Sequence, residues 1–280
     1  MPAKITPKMQ IKSGGEVLKL VMVDNLQEIA GGMINQVAIG LDKASAGTKI
    51  NAIKKISPKG VKAYEKELLE AMSALYIDAH DLAGTEVPKP KKLADWDKLP
   101  AQARKYIKAQ AGLVVSKQVS DLQKSIEFSF MSNYETTDSD DQLIGDLAES
   151  ADDYLSAAVT ASTTTAANVV DRAREDLFFD DEVKDQIIAF EFVNEDPVTE
   201  ICNDLSGTVF DKDDPDLFRF TPPLHFNCKS WIRPLVSEQA YAKALKKNDQ
   251  TEPIKLKPST KRIEEQIQFH DCKSGLKCRE

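Results

Sequence analysis

The chain has 280 residues, 41% of them hydrophobic and 29% charged, with a formal net charge of −8. That length suits one or two domains. No apolar run approaches the roughly 18 residues needed to cross a bilayer, and the opening MPAKITPKMQIKSGG lacks the apolar stretch of a secretory signal, so the expectation is a chain made and used in a cytoplasm, or assembled there into something larger, without a membrane partner.

The net charge hides an asymmetry. Residues 131–216 carry 24 acidic against 4 basic side chains, whereas residues 1–130 are net +6 and residues 241–280 net +4. The acidic centre repels nucleic acid, and the basic ends are the segments able to touch it or an acidic partner surface. The four cysteines, Cys202, Cys228, Cys272 and Cys278, all lie in the last 79 residues. They are too few for a disulfide scaffold, and they assign any thiol or metal chemistry to the C-terminal part.

In chain order, residues 16–41 form an apolar helical stretch with a break or kink expected at Gly31-Gly32. A second helix is expected from Ser57 as N-cap and Pro58 at the first helical position. Leu68, Met72, Leu75, Tyr76, Ala79 and Leu82 follow at helical spacing. EVPKPKKLADWDKLP reads as a proline-stiffened connector. Residues 101–129 give a third helix with Ile107, Ala111, Val114, Val115, Leu122 and Ile126 on its buried stripe. A fourth runs from Asp141 towards Leu177. Its small-residue middle, AAVTASTTTAANVV, fits an interface or a tightly packed core helix.

The pattern then changes. QIIAFEFVNED reads as a strand, SGTVFD as a turn leading to a short strand at residues 208–210, and KSWIRPLV as another. The fold class expected is α+β: an elongated, mainly helical body over residues 1–185, a small β-containing unit over residues 186–236, and a basic, extended polar tail over residues 237–280.

Cys202, His225 and Cys228 form the chemical constellation. Soft thiolates and an imidazole suit zinc, with Cys202 expected at a strand end and the other two on a proline-bounded turn. Asp204, Cys272, Cys278 and His270 are the candidates for a fourth ligand. Two other readings stay open: buried cysteines beside a histidine that braces the loop, and a Cys202–Cys228 disulfide. His225 and Asn227 with Asp211, Asp213 and Asp214 also suggest a metal-dependent nuclease, although DKDDPD reads more simply as a loop. FHDCKSGLKCRE places His270, Cys272 and Cys278 together at the C-terminus.

DPVTEICNDLSGTVF followed by TPPLHFNCKSWIRPL resembles the C-terminal signature of the phage Mu F-like head morphogenesis (minor head protein) family. Asp196, Thr199, Cys202, Leu205, Gly207, Phe210, Pro222, Pro223, Leu224, His225, Asn227, Cys228, Lys229 and Pro234 fall in register, and the match covers about residues 155–236. The chain departs from the pattern at Phe226, where a proline is usual, at Ser230, where a second cysteine is common, and near Thr199, where a further cysteine is expected. The resemblance implies a minor structural protein of a tailed-phage virion, assembled in the host cytoplasm. It would associate with the portal protein, and with major capsid or scaffolding protein, and act in head morphogenesis and DNA packaging or ejection. The alternative is a metal-dependent nuclease or toxin-like effector built on Cys202, His225 and Cys228.

Overall fold

The structure, a computed structural model, describes residues 5–42, 53, 56–89, 99–194, 199–214, 217–225 and 228–254. It is mainly helical with one small antiparallel sheet, an α+β arrangement. Four long helices come first: α1 (Pro7–Asp42), α2 (Val61–Gly84), α3 (Ala101–Asn133) and α4 (Asp140–Phe178). A single turn α5 (Asp181–Lys184) leads to β1 (Ala189–Val193), α6 (Glu200–Leu205), β2 (Val209–Asp211), a 3-10 turn (Leu217–Phe220), β3 (Trp231–Leu235) and α7 (Glu238–Lys247). No helix among the described residues is long and apolar enough to cross a membrane.

The chain divides into two compact units, and neither follows the linear boundaries expected at residues 185 and 236. The first draws on Met1–Glu16, Met72–Ile107 and Thr163–Glu280, the second on Val17–Ala71 and Lys108–Ser162. The second unit contains segments of all four long helices, each burying one stripe. Leu18, Met22, Leu26, Met33 and Val37 of α1 face inward with Leu68 of α2, Leu122 and Ile126 of α3, and Leu147 of α4. Polar side chains tie these stripes at intervals: Asn25 donates to Glu67 at 2.8 Å, Tyr64 donates to Gln118, and Ser125 and Ser150 share a hydroxyl contact at 2.9 Å.

Two local expectations are corrected here. Helix α1 runs unbroken through Gly31-Gly32. Each glycine costs about 1 kcal/mol against alanine, which the buried positions on both sides outweigh. Helix α2 begins at Val61, not at Pro58. Gln36 bonds both the N–H and the C=O of Ser57, at 3.1 and 2.9 Å, holding that backbone out of a helix. Gly60, at φ +86°, then turns the chain into Val61.

In the first unit the small-residue stretch of α4 is a tightly packed core segment. Thr164, Thr165, Ala166 and Ala167 are buried, and a Cβ added at Gly15 of α1 would sit 3.4 Å from the Thr163 backbone. The sheet has the order β2-β1-β3, both pairs antiparallel. Both faces of β1 are covered, which explains its loose alternation. Phe190 and Phe192 join Phe178, Leu205, Phe210, Leu224 and Ile232 on one side, while Ala189 packs with Val209, Leu235, Ala244 and Leu245 on the other. Cross-strand neighbours Glu191 and Arg233 form an ion pair.

The expected extended tail is not extended over its first part. Ser237 caps α7 by accepting from Ala240 N–H at 3.2 Å, and Lys246 and Lys247 occupy the last turn, where they favour the helix dipole. Beyond it, Ile254 donates to the Val209 carbonyl at 2.9 Å, and the Gln250 side chain brackets Val209 from the same edge. Residues 255–280 lie outside the described residues.

At the centre of this unit Arg174 of α4 is 1% exposed. It grips both carboxylate oxygens of Glu86, at 2.7 and 3.1 Å, and donates to the Ile232 carbonyl of β3 at 2.8 Å. Removing one partner of a buried pair leaves an uncompensated charge. Arg174→Ala should therefore lower stability by about 3–5 kcal/mol in urea denaturation, whereas Arg174→Met combined with Glu86→Leu should recover most of that loss. Gly207 makes a second demand. It sits at φ +80°, and a Cβ there would overlap the Asn248 carboxamide. Gly207→Ala should cost about 2 kcal/mol or more, since the left-handed backbone alone costs 1–2 kcal/mol; a thermal unfolding curve reads the shift.

Candidate metal centre

Cys202, His225 and Cys228 are brought to one point. Cys202 Sγ lies 3.1 Å from His225 Nε2 and 3.8 Å from Cys228 Sγ, and the three donor atoms all fall within 4.8 Å of one another. A metal could be held here. Zinc–sulfur bonds of about 2.3 Å at a tetrahedral angle place two sulfurs about 3.8 Å apart, which matches the pair. The same geometry puts sulfur and imidazole nitrogen about 3.6 Å apart, so the ring would move back about half an ångström from its present hydrogen bond. Neither thiol is in a disulfide. The observed separation is far beyond the roughly 2.05 Å of an S–S bond.

Local structure explains the convergence. Cys202 is not at a strand end as expected, but in the short helix α6. Thr199, extended at φ −137° and ψ 154°, precedes it as N-cap residue, and acidic Glu200 suits its first turn. Cys202 and Leu205 then face the same core. His225 and Cys228 stand on a turn closed by Cys228 N–H donating to the His225 carbonyl at 3.3 Å. The turn follows the cis Pro222–Pro223 bond and the buried Leu224. The two cysteines are 1% and 0% exposed, while His225 is half-buried.

The thiols share one negative charge. The hydrogen bond from Cys228 holds the Cys202 thiol down at about 6, against the pull of burial and with help from the Ser230 and Thr199 hydroxyls. The same bond, reinforced by burial, pushes Cys228 up to about 12. Thr199 Oγ1 is buried and makes no hydrogen bond of ordinary geometry, yet it lies close enough to favour the Cys202 thiolate. Ser230 is 2% exposed and also reaches Asn194 Oδ1 at 3.4 Å. Sequence reading treats Ser230 as a departure from a cysteine-bearing pattern and Thr199 as a residue in register beside a missing cysteine. Their contacts with Cys202 are what that reading missed, and only their closeness in sequence to Cys202 and Cys228 hints at it.

Among the described residues, no other cluster of three or more cysteine, histidine or acidic side chains has comparable ligand geometry. The nuclease acids do not join the trio. Asp213 pairs with Lys184 of α5 at 3.0 Å and Lys212 at 2.9 Å, and Asp211 accepts from the Asp213 N–H at 2.9 Å. Asp204 is exposed and outside the group. His80 is buried on α2 against Tyr76. Asp196, Phe226, Asn227, His270, Cys272 and Cys278 lie outside the described residues. No protein-family model, curated protein or solved structure matches the chain.

In metal-free protein, ultraviolet thiolate absorbance should show one thiolate of the pair forming near pH 6 and the second only near pH 12. In Cys228→Ala the low transition should move up towards the ordinary thiol value of about 8.5, because the hydrogen bond that favours the Cys202 thiolate is lost.

Proposed function

We propose that this chain is a minor structural protein of a tailed-phage head, associated with the portal vertex and acting in head morphogenesis and in DNA packaging or ejection. In the same reading, Cys202, His225 and Cys228 hold a zinc ion that fastens α6 to the turn before β3. One observation supports it above others: five of the residues that carry the resemblance to the Mu F-like head morphogenesis family pack in one core. Cys202, Leu205, Phe210, Leu224 and Cys228 share a single core, and Gly207 supplies the left-handed turn between α6 and β2. Two cysteine ligands sunk in apolar packing suit a fastening role, in which metal binding adds directly to folding free energy. The basic flanking sequence of residues 1–130 and 241–280 is the part suited to meet packaged DNA.

A metal-dependent nuclease or toxin-like effector is the second reading. The count of three ligands favours it, since catalytic zinc keeps a position free. The engagement of Asp213 with Lys184 and Lys212, and of Asp211 with the Asp213 N–H, weighs against it.

Mass spectrometry of purified virions with elemental analysis tests the first reading. Peptides of this chain should co-purify with portal protein, and the purified chain should hold about one zinc, lost in a Cys202→Ala, Cys228→Ala variant. Absence of the chain from particles overturns the structural assignment, and chelator-sensitive cleavage of DNA by the purified chain replaces it with the second.

A further inference from the structure

The zinc reading leaves open what completes the coordination sphere. Zinc held by cysteine and histidine takes four ligands, and the cluster offers three donor atoms. Among the described residues, the polar side chains beside Cys202 have the wrong chemistry to supply a fourth. Ser230 and Thr199, the polar side chains placed against Cys202, carry neutral hydroxyls, which suit donation to a thiolate sulfur better than ligation of zinc. The cysteines are sealed in the core, but His225 is half-buried, so the cluster meets solvent on the imidazole side.

We propose that the metal bound by Cys202, His225 and Cys228 keeps its fourth position for an exchangeable ligand, a water that a small nitrogen or sulfur donor displaces, instead of a side chain of this chain. The proposal rests on the zinc reading above. Exchange needs no change of oxidation state: neutral water leaves and a neutral imidazole, or a thiolate after loss of its proton, takes its place. The hydroxyls of Ser230 and Thr199 then stand as outer neighbours of the Cys202 sulfur and favour its charged form. Two thiolates and one imidazole form a donor set that zinc uses with an open position elsewhere. Among the described residues, however, no carboxylate stands in the cluster to act as a base.

Cobalt(II) makes the test visible, because its thiolate charge-transfer and ligand-field bands report ligand identity and coordination number. The full-length chain is loaded with cobalt(II) and titrated with imidazole and, separately, with a small thiol. The expected result is a thiolate-to-cobalt band in the untreated protein and a saturable shift of the ligand-field bands with each added ligand. In Ser230→Cys the added sulfur should close the sphere, abolish that shift and tighten metal binding at least tenfold. A wild-type protein with no thiolate-to-cobalt band sinks the zinc reading itself. A band that does not respond to either added ligand leaves the zinc reading standing and overturns the open position. A shift that appears only after His270→Ala, Cys272→Ala and Cys278→Ala are combined also overturns it, by assigning the fourth ligand to the C-terminal segment.

Discussion

A buried guanidinium organises the first unit. Arg174 cannot reach water, so its charge must be met by protein. Glu86, just beyond α2, takes it in a two-pronged grip, while the carbonyl of Ile232 accepts a further hydrogen bond. The Phe178 ring lies beneath it, 5.0 Å from ring centre to guanidinium carbon. These contacts join three stretches of chain distant in sequence: the end of α2, the last turns of α4 and the strand that follows the cysteine turn. Around it the same helix places Asp176 between Tyr76, which donates at 2.6 Å, and Arg172, at 2.8 Å, and sends Glu175 to the Thr221 hydroxyl. Burial together with the neighbouring Asp176 carboxylate raises the Tyr76 hydroxyl far above its ordinary value, so it remains a donor throughout the physiological range. Thr221 opens the very segment that carries His225.

The candidate metal site leans on that network through Thr221 and Ile232. Its two cysteines are held by different means, one by a six-residue helix and the other by a turn that enters β3. What unites them is the apolar core beneath the sheet, shared with Phe190, Phe192 and Phe210. Loss of an aromatic side chain from such a core costs about 3–5 kcal/mol, a scale comparable with the Arg174 pair. The ligand positions therefore depend on packing that is in place without an ion, and a metal would join an arrangement already within about half an ångström of the required spacing.

Much of this was readable from residue order. Apolar residues at helical spacing mark α2 and α3, and β-branched and aromatic runs mark the three strands, because one face of each element must be buried. The convergence of Cys202, His225 and Cys228 followed from their rarity and from the proline-bounded turn. Other features depended on partners far away in sequence. Arg174 and Glu86 are 88 residues apart, and nothing local marks either as buried. Gly31-Gly32 resembled a break because local propensity ignores the burial of Ile29 and Met33 on either side. Ser57-Pro58 resembled a helix start because Gln36, 21 residues earlier, was out of view. The polar sequence after Ser237 suggested an arm, but α7 needs only Ala244 and Leu245 to dock on Leu235 and Val209.

The interleaving of the two units has a consequence for how the chain can be made. The second unit is completed once Ser162 has been synthesised, whereas the first still lacks most of α4's end, the whole sheet and α7. Residues 72–89 must wait through vectorial synthesis for partners encoded far downstream, in the case of Tyr76 for Asp176, 100 positions later, and of Glu86 for Arg174, 88 positions later. Such long-range closure is entropically slow. During that interval the apolar flank of α2, including Met72, Tyr76 and Ala79, lacks the α4 segment that will cover the unit. A nascent chain with this topology has reason to meet a chaperone or an assembly partner before it is finished, and no single truncation can separate one unit cleanly from the other.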